Sequence, residues 1–298
     1  MTRKTRLALL LLVSAATLAT SLLARSDGET YVLTQKYTNG EKWYVVSEFH
    51  GTVALSVTES SGDVGELTTT VKRVDSVERI HDNVDDSGVL VGMTVNVLKS
   101  AVLESVGAAA PVETNTAIHG RTIIVAFDKP QPVTFADGDG GPVGPENFTA
   151  EDTFLLLVPK KPVAKGDTWS ISGPNLARII LRDIPGAAAK IEAACTLVDI
   201  ETRDSFQVAV IKVALAASSD AQQNEVWDFK LTSGRFEFNI TTGRPIRLEL
   251  EGIGNVQWNR LGSGGEVQAR YKATVAPIGL KINYGTSDFV MPPEDSGK

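Results

Sequence analysis

The sequence predicts a mainly β protein. It is expected to hold two related antiparallel β units, half-barrel or sandwich-like, with one or two short helices. Three observations carry this. Long segments alternate apolar and polar residues with a period of two, the spacing that turns successive side chains to opposite faces of a strand. Turn residues separate those segments. Helical periodicity is scarce: only Pro174–Arg182, with Leu176, Ile179 and Ile180 on one face and Ile184-Pro185-Gly186 after it, reads as a short helix.

From the N-terminus, Arg3, Lys4 and Arg6 precede an uncharged apolar run, Leu7–Ala24, centred on four leucines. That is the charge and hydropathy order of a secretory signal, so residues 1–24 are assigned as a signal peptide. Ala19-Thr20-Ser21 offers small residues for cleavage after Ser21. An uncleaved anchor is the alternative, since the run is just long enough to span a bilayer. The expected location is therefore the periplasm or cell envelope, with an extracellular destination also open.

Residues 28–135 are expected to form the first β unit. Asn39-Gly40 reads as a hairpin turn joining Tyr31–Thr38 to Glu41–Phe49, because both residues tolerate positive φ. Val53, Leu55 and Val57 alternate, and Leu67–Arg79 and Met93–Ser105 read as further strands. The glycine-, proline- and aspartate-rich stretch 136–150 is the linker. A second β unit spans 151–290, and 291–298 is a disordered tail.

The cleanest alternation falls in the second unit. Val267, Ala269, Tyr271, Ala273 and Val275 face one side, with Glu266, Gln268, Arg270, Lys272 and Thr274 on the other. Ile278, Leu280, Ile282 and Tyr284 resume the pattern after Pro277. Thr241-Thr242-Gly243 separates two alternating runs as a hairpin, and Pro245 must open its strand, where the missing N–H is tolerated. Phe206–Ala217 is apolar on both sides and reads as a strand covered on both faces.

Two landmarks recur in the same order. Gly40-Glu41-Lys42-Trp43 and His119-Gly120-Arg121 in the first unit match Gly166-Asp167-Thr168-Trp169 and Ser233-Gly234-Arg235 in the second. They suggest a duplicated β unit.

Leu157–Trp169, together with Gly234–Phe238 and Thr242–Gly252, resembles an uncharacterised family of secreted bacterial proteins of planctomycete type. The resemblance implies export and β architecture and adds no chemistry. Long antiparallel strands with one wet face are also similar, at the level of fold alone, to the half-open barrels of periplasmic lipoprotein carriers.

No catalytic signature stands out. His50, His81 and His119 are far apart in sequence, lack metal-ligand spacing, and read as surface or strand-end residues. Gly262-Ser263-Gly264-Gly265 lacks the spacing of a hydrolase nucleophile and reads as a hairpin loop. The acidic runs Asp82–Asp86 and Asp137–Gly140 do not fit a calcium loop and read as solvated turns. The single cysteine, Cys195, lies on the apolar side of a strand and reads as a core residue. No catalytic residue, metal site or cofactor is therefore assigned.

Net charge is −7, and the body without its first 24 residues carries −10, which argues against nucleic acid and anionic lipid head groups as partners. Of the four tryptophans, Trp43 and Trp169 share a place in the repeat, and Trp227 shares a strand face with Phe229. These three are the candidate ligand-binding residues, with core plugs as the competing reading. The function that fits best is binding of an apolar small molecule or lipid in a β groove. A structural or protein-interaction module with an envelope-protein partner is the alternative, and an enzyme is the third class.

Overall fold

The computed structural model describes residues 29–62, 64–127, 133–136, 156–173, 176, 190–219, 225–261, 263–264 and 267–285. The predicted leader, the tail and, apart from Ala136, the linker lie outside these. So does the predicted helix over Pro174–Arg182, apart from Leu176. What is described is mainly β and antiparallel, with very little helix.

The strands are β1 (Thr30–Tyr31), β2 (Lys42–Glu59), β3 (Val64–Val84), β4 (Leu90–Val106), β5 (Val112–Asn115), β6 (Thr122–Ala126), β7 (Val133–Phe135), β8 (Val163–Ala164), β9 (Thr168–Ser172), β10 (Lys190–Arg203), β11 (Phe206–Ser218), β12 (Glu225–Asn239), β13 (Arg244–Leu261) and β14 (Val267–Gly285). Twelve of them form one sheet in the order β7-β6-β4-β3-β2-β14-β13-β12-β11-β10-β9, with β5 paired to β4. Strands before the linker thus occupy one side of the sheet, and those after it the other. They meet where β2 pairs with β14, from Tyr44↔Gly285 to Glu59↔Ala269.

Alternation sets the faces. On β2, β3, β11, β12, β13 and β14 the register aligns one set of side chains across strands, as in Ile211–Phe236–Leu248–Ile282. This inner face carries the core. The buried residues Leu33, Ile118, Leu157, Val163 and Leu176, which lie off the strands of the large sheet or at its margins, belong to the same core. The outer face carries a ladder of charges. Glu237 accepts from Arg203 at 2.8 Å and from Arg235 at 2.7 Å, and both arginines also pair with Glu201. Lys281 pairs with Glu249, and Lys72 with Glu48.

Several local expectations hold. Gly243, at φ +69°, donates to the Asn239 carbonyl and closes the β12–β13 hairpin, with Pro245 second in its strand. Leu98–Val106 is strand; Leu98 falls at an irregularity opposite Ser76/Val77, which leaves its side chain exposed. The runs either side of Pro277 form one strand, β14, because both neighbouring ladders shift register between Val275 and Ile278 and so bypass the residue that cannot donate. Cys195 is buried, and burial pushes its thiol up to about 12.

Two expectations are corrected. Asn39-Gly40 does form a tight turn, closed by Glu41 N–H donating to the Thr38 carbonyl at 3.2 Å. However, only Gly40 takes positive φ, so the turn is not the doubly left-handed type that keeps two strands paired. Tyr31 pairs instead with Val163 on β8, and residues 32–38 cross the end of the sheet as an irregular strap. The second correction concerns the repeat landmarks. Gly40 and Gly166 both occupy positive-φ turns before a strand, but Gly120 sits in such a turn whereas Gly234 lies within β12. There a Cβ would stand 2.3 Å from the Val213 carbonyl oxygen, so close strand approach explains that glycine.

Candidate functional site

The inner face changes character along the strands. Towards the turn at 241–243 it is sealed, with Phe236, Phe238, Leu248 and Ile282 all buried. Further along, the row Thr69–Val53–Val275–Gly254–Phe229 is still packed on its β12 side. Here Gly254 has a definite task. The Phe229 ring lies over it, and a Cβ at 254 would meet that ring at 2.1 Å.

The next row is Leu67–Leu55–Ala273–Val256–Trp227, and the one after it Val57–Tyr271–Trp258. In these rows Leu55, Val57, Val256, Tyr271 and Trp258 are half-buried, and Leu67 is 47% exposed. Trp258 and Tyr271 stack with ring centroids 5.1 Å apart and planes 5° from parallel. Leu55, Val57, Tyr271 and Trp258 lie beyond the core. The result is an apolar strip across five strands, continuous with the core and partly open. Water against such a surface is unfavourable by roughly 25 cal/mol per Å² of apolar area left uncovered, and partly open apolar strips of this kind mark binding surfaces.

The three tryptophans expected to bind ligand all lie on this inner face but in different surroundings. Trp227, 3% exposed, ends the first row of the strip and packs on Phe229, ring centroids 5.7 Å apart. Trp169 is half-buried on the edge strand β9, opposite Cys195, and its Nε1–H donates to the Leu157 carbonyl at 3.0 Å. Trp43 sits near the start of β2, towards the other end of the sheet, and is 2% exposed. Tyr37 from the strap stacks on it at 6.1 Å, His81 meets it edge-on at 4.7 Å, and Tyr284 lies 6.5 Å away. The Arg244 guanidinium lies 5.8 Å from its ring centre and pairs with Glu41. Trp43 Nε1 is buried without a hydrogen-bond partner.

The histidines stay apart: His50 on β2, His81 on β3, and His119 in the turn before β6, where its Nδ1 accepts from Ser100 N–H. His81 is buried, not at the surface, because the strap places Tyr37 against it. A second buried polar group forms where Asp75 accepts from Arg73 and from the Ser100 hydroxyl, which in turn accepts from Thr116. Ser100 is fully buried, so this chain ties β3, β4 and the segment after β5 together and offers no accessible nucleophile. The acidic run 82–86 is only partly a turn: Asp82 belongs to β3 and accepts from the Thr94 hydroxyl, and the turn that follows is held by Asp85, which accepts from Ser87 and Val89 N–H and whose carboxyl pKa is lowered first by the Ser87 hydroxyl. Among the described residues no group of three His, Cys, Asp or Glu is placed to hold a metal ion.

Sequence reasoning noted the alternation of Val53, Leu55 and Val57 and of Tyr271, but did not single these residues out as a site. Trp258 was passed over. The available signal was a long strand whose alternation continues past its last large core residues.

No family model matches the chain, and no curated protein matches it. Among solved structures, the chain is similar to a LolA superfamily protein from Nitrosomonas europaea, at 10% identity over 80% of this chain and 84% of that one, with a TM-score of 0.20. It is also similar to a Bacteroides fragilis protein with a YmcC-like fold, at 11% identity over 83% and 99% of the two chains, TM-score 0.20. A further likeness is to OmpF of Salmonella typhi in complex with daunomycin, at 9% identity over 84% and 99%, TM-score 0.23. These scores are too low for any of the likenesses to carry an argument about this chain.

Proposed function

We propose that this chain is an exported cell-envelope protein that holds an apolar or lipid-like ligand against the inner face of its sheet, without catalysing a reaction on it. The observation that carries the reading is the strip of Leu55, Val57, Leu67, Tyr271 and Trp258. It prolongs the core face beyond the residues that cover it. An apolar ligand laid on the strip is removed from water without a new polar demand, since the two rows carry almost only apolar side chains.

In this reading Trp227 bounds the inner end of the ligand. Trp43 and Trp169 pack the far end and the edge of the same face rather than touch the ligand through the strip. Export is inferred from the order of charge and hydropathy in residues 1–24. The resemblance to the secreted planctomycete-type family rests on Leu157–Trp169, Gly234–Phe238 and Thr242–Gly252 alone.

The test is mass spectrometry of organic extracts from protein purified from its native host. A stoichiometric apolar compound that is lost from a Leu55→Asp variant is expected. Protein that carries no such compound, with the strip intact, would overturn the reading.

A further inference from the structure

We infer that the strap, residues 32–38, is a lid that lifts from the Trp43 end of the inner face while the sheet beneath it stays folded. The strap is extended but joins no ladder of the large sheet. Leu33, Gln35 and Tyr37 turn inward, whereas Val32, Thr34, Lys36 and Thr38 are exposed. Leu33 reaches the core, and the Tyr37 ring stacks on Trp43. Lys36 N–H donates to the Gly243 carbonyl at 3.0 Å and fastens the strap to the β12–β13 turn. The two touch closely, since a Cβ at Gly243 would stand 2.6 Å from the Thr34 carbonyl oxygen and 2.9 Å from Lys36 N.

The groups closed in by the strap make this closure marginal. Oε1 and Nε2 of Gln35 are both buried without a hydrogen-bond partner. The same holds for Trp43 Nε1, Thr242 Oγ1, Arg244 Nε and Glu41 Oε2. These residues form one cluster. Thr242 and Arg244 flank the residue that receives the strap, Arg244 pairs with Glu41, and its guanidinium lies 5.8 Å from the centre of the Trp43 ring. A buried donor or acceptor without a partner carries the full penalty of leaving water, and native interiors hold few of them. All of these atoms can regain water when the strap lifts. What opposes lifting is the burial of Leu33 and Tyr37. Two apolar anchors set against a cluster of unmet polar groups describe a segment that opens well below global unfolding. The strands beneath are held differently, by continuous ladders that begin at Lys42↔Ile80 and Asn239↔Arg244. Opening uncovers Trp43 and gives the inner face a second entrance, roughly 40 Å along β2 from Leu55.

The lid does not depend on the ligand strip, and one set of measurements separates the two. A Leu33→Cys variant of the full chain is treated with a thiol reagent under native conditions, with buried Cys195 as the reference in the same molecule. The introduced thiol should label at least about a hundredfold faster than Cys195. Adding Gln35→Leu, which fills similar space with no amide to satisfy, should slow that labelling about tenfold. Adding Tyr37→Ala, which removes an anchor, should speed it about tenfold. Thr34→Leu, on the outward side of the strap, should leave it unchanged.

Hydrogen exchange reads the same event without an introduced thiol. The Lys36 amide should exchange about a hundredfold faster than those of Phe236 and Leu248, and should slow in Gln35→Leu. A fluorescent fatty-acid probe should bind wild type and Gln35→Leu equally. Protein that opens its lid yet binds no probe would remove the ligand reading and leave this one standing. Labelling of the Leu33→Cys thiol no faster than that of Cys195 would overturn the lid. So would unchanged labelling and exchange in Gln35→Leu, or an equal slowing by Thr34→Leu.

Discussion

Replacing Gly254 with alanine tests how the floor of the apolar strip is built. The added Cβ would stand 2.1 Å from Phe229 Cδ1, 2.2 Å from Cε1 and 3.2 Å from Cγ. Comfortable carbon–carbon separation is about 3.5–4.0 Å, so the ring must retreat by roughly 1.5 Å. It has little room, since Phe229 is buried and Trp227 lies 5.7 Å away on the same strand face. Overpacking of a filled site costs about 1–3 kcal/mol. The reduced freedom of the unfolded chain returns about 0.4–1 kcal/mol of that, leaving a net loss on the order of 1–2 kcal/mol. Gly264→Ala, in the exposed β13–β14 loop with open space around it, should change stability by no more than about 0.5 kcal/mol. Urea unfolding followed by circular dichroism measures both. Phe229→Leu in the Gly254→Ala background should recover part of the loss, because the smaller side chain vacates the contact. A Gly254→Ala protein as stable as the Gly264→Ala control would refute the packing described for this row.

Glu237→Gln should cost about 1–3 kcal/mol at neutral pH, because it removes the charged acceptor of two arginines, which are themselves partly exposed. The Arg203 hydrogen bond first, and then Arg235, hold the Glu237 carboxyl below its ordinary range against its burial. A depressed folded-state pKa stabilises above the unfolded value, about 4.3, and that stability disappears as pH falls through the folded value. The gap between wild type and variant in urea unfolding should therefore close below about pH 4; a gap constant from pH 7 to 3 would contradict the assignment. Cys195, with its thiol pushed up to about 12 by burial, should resist a thiol reagent at pH 8 in native protein and react at once in urea. Rapid native labelling would show that β10 opens readily.

Much of this fold was legible because local rules agreed with the global ones. Val267–Val275 alternates without exception, and β14 follows it. Gly243 and Pro245 specified their hairpin through φ and a missing donor, and Cys195 sat on the apolar side of its strand. What escaped were relations between distant segments. Nothing local in β2 or β14 announces that they pair, although that ladder joins the two halves of the sheet. The Asn39-Gly40 turn misled because the sequence does not reveal that Asn39 keeps negative φ and that Tyr31 has a partner on β8. His81 was expected near the surface because the strap that buries it has no periodicity. The strip was hidden for a related reason. Alternation says which side chains share a face, not how far along that face other segments reach, so Leu55 and Val45 look alike in sequence while only Val45 is sealed.

The most direct measurement of the central claim is a titration of wild-type and Leu55→Asp protein with a fluorescent fatty-acid probe, alongside urea unfolding of both. Leu55 is half-buried, so the charge should be tolerated in the folded state while the strip becomes hostile to an apolar chain. The account predicts saturable one-to-one binding by wild type, at least tenfold weaker binding by the variant, and closely matched unfolding curves. Equal probe binding by the two proteins, or no saturable binding by wild type, would contradict it.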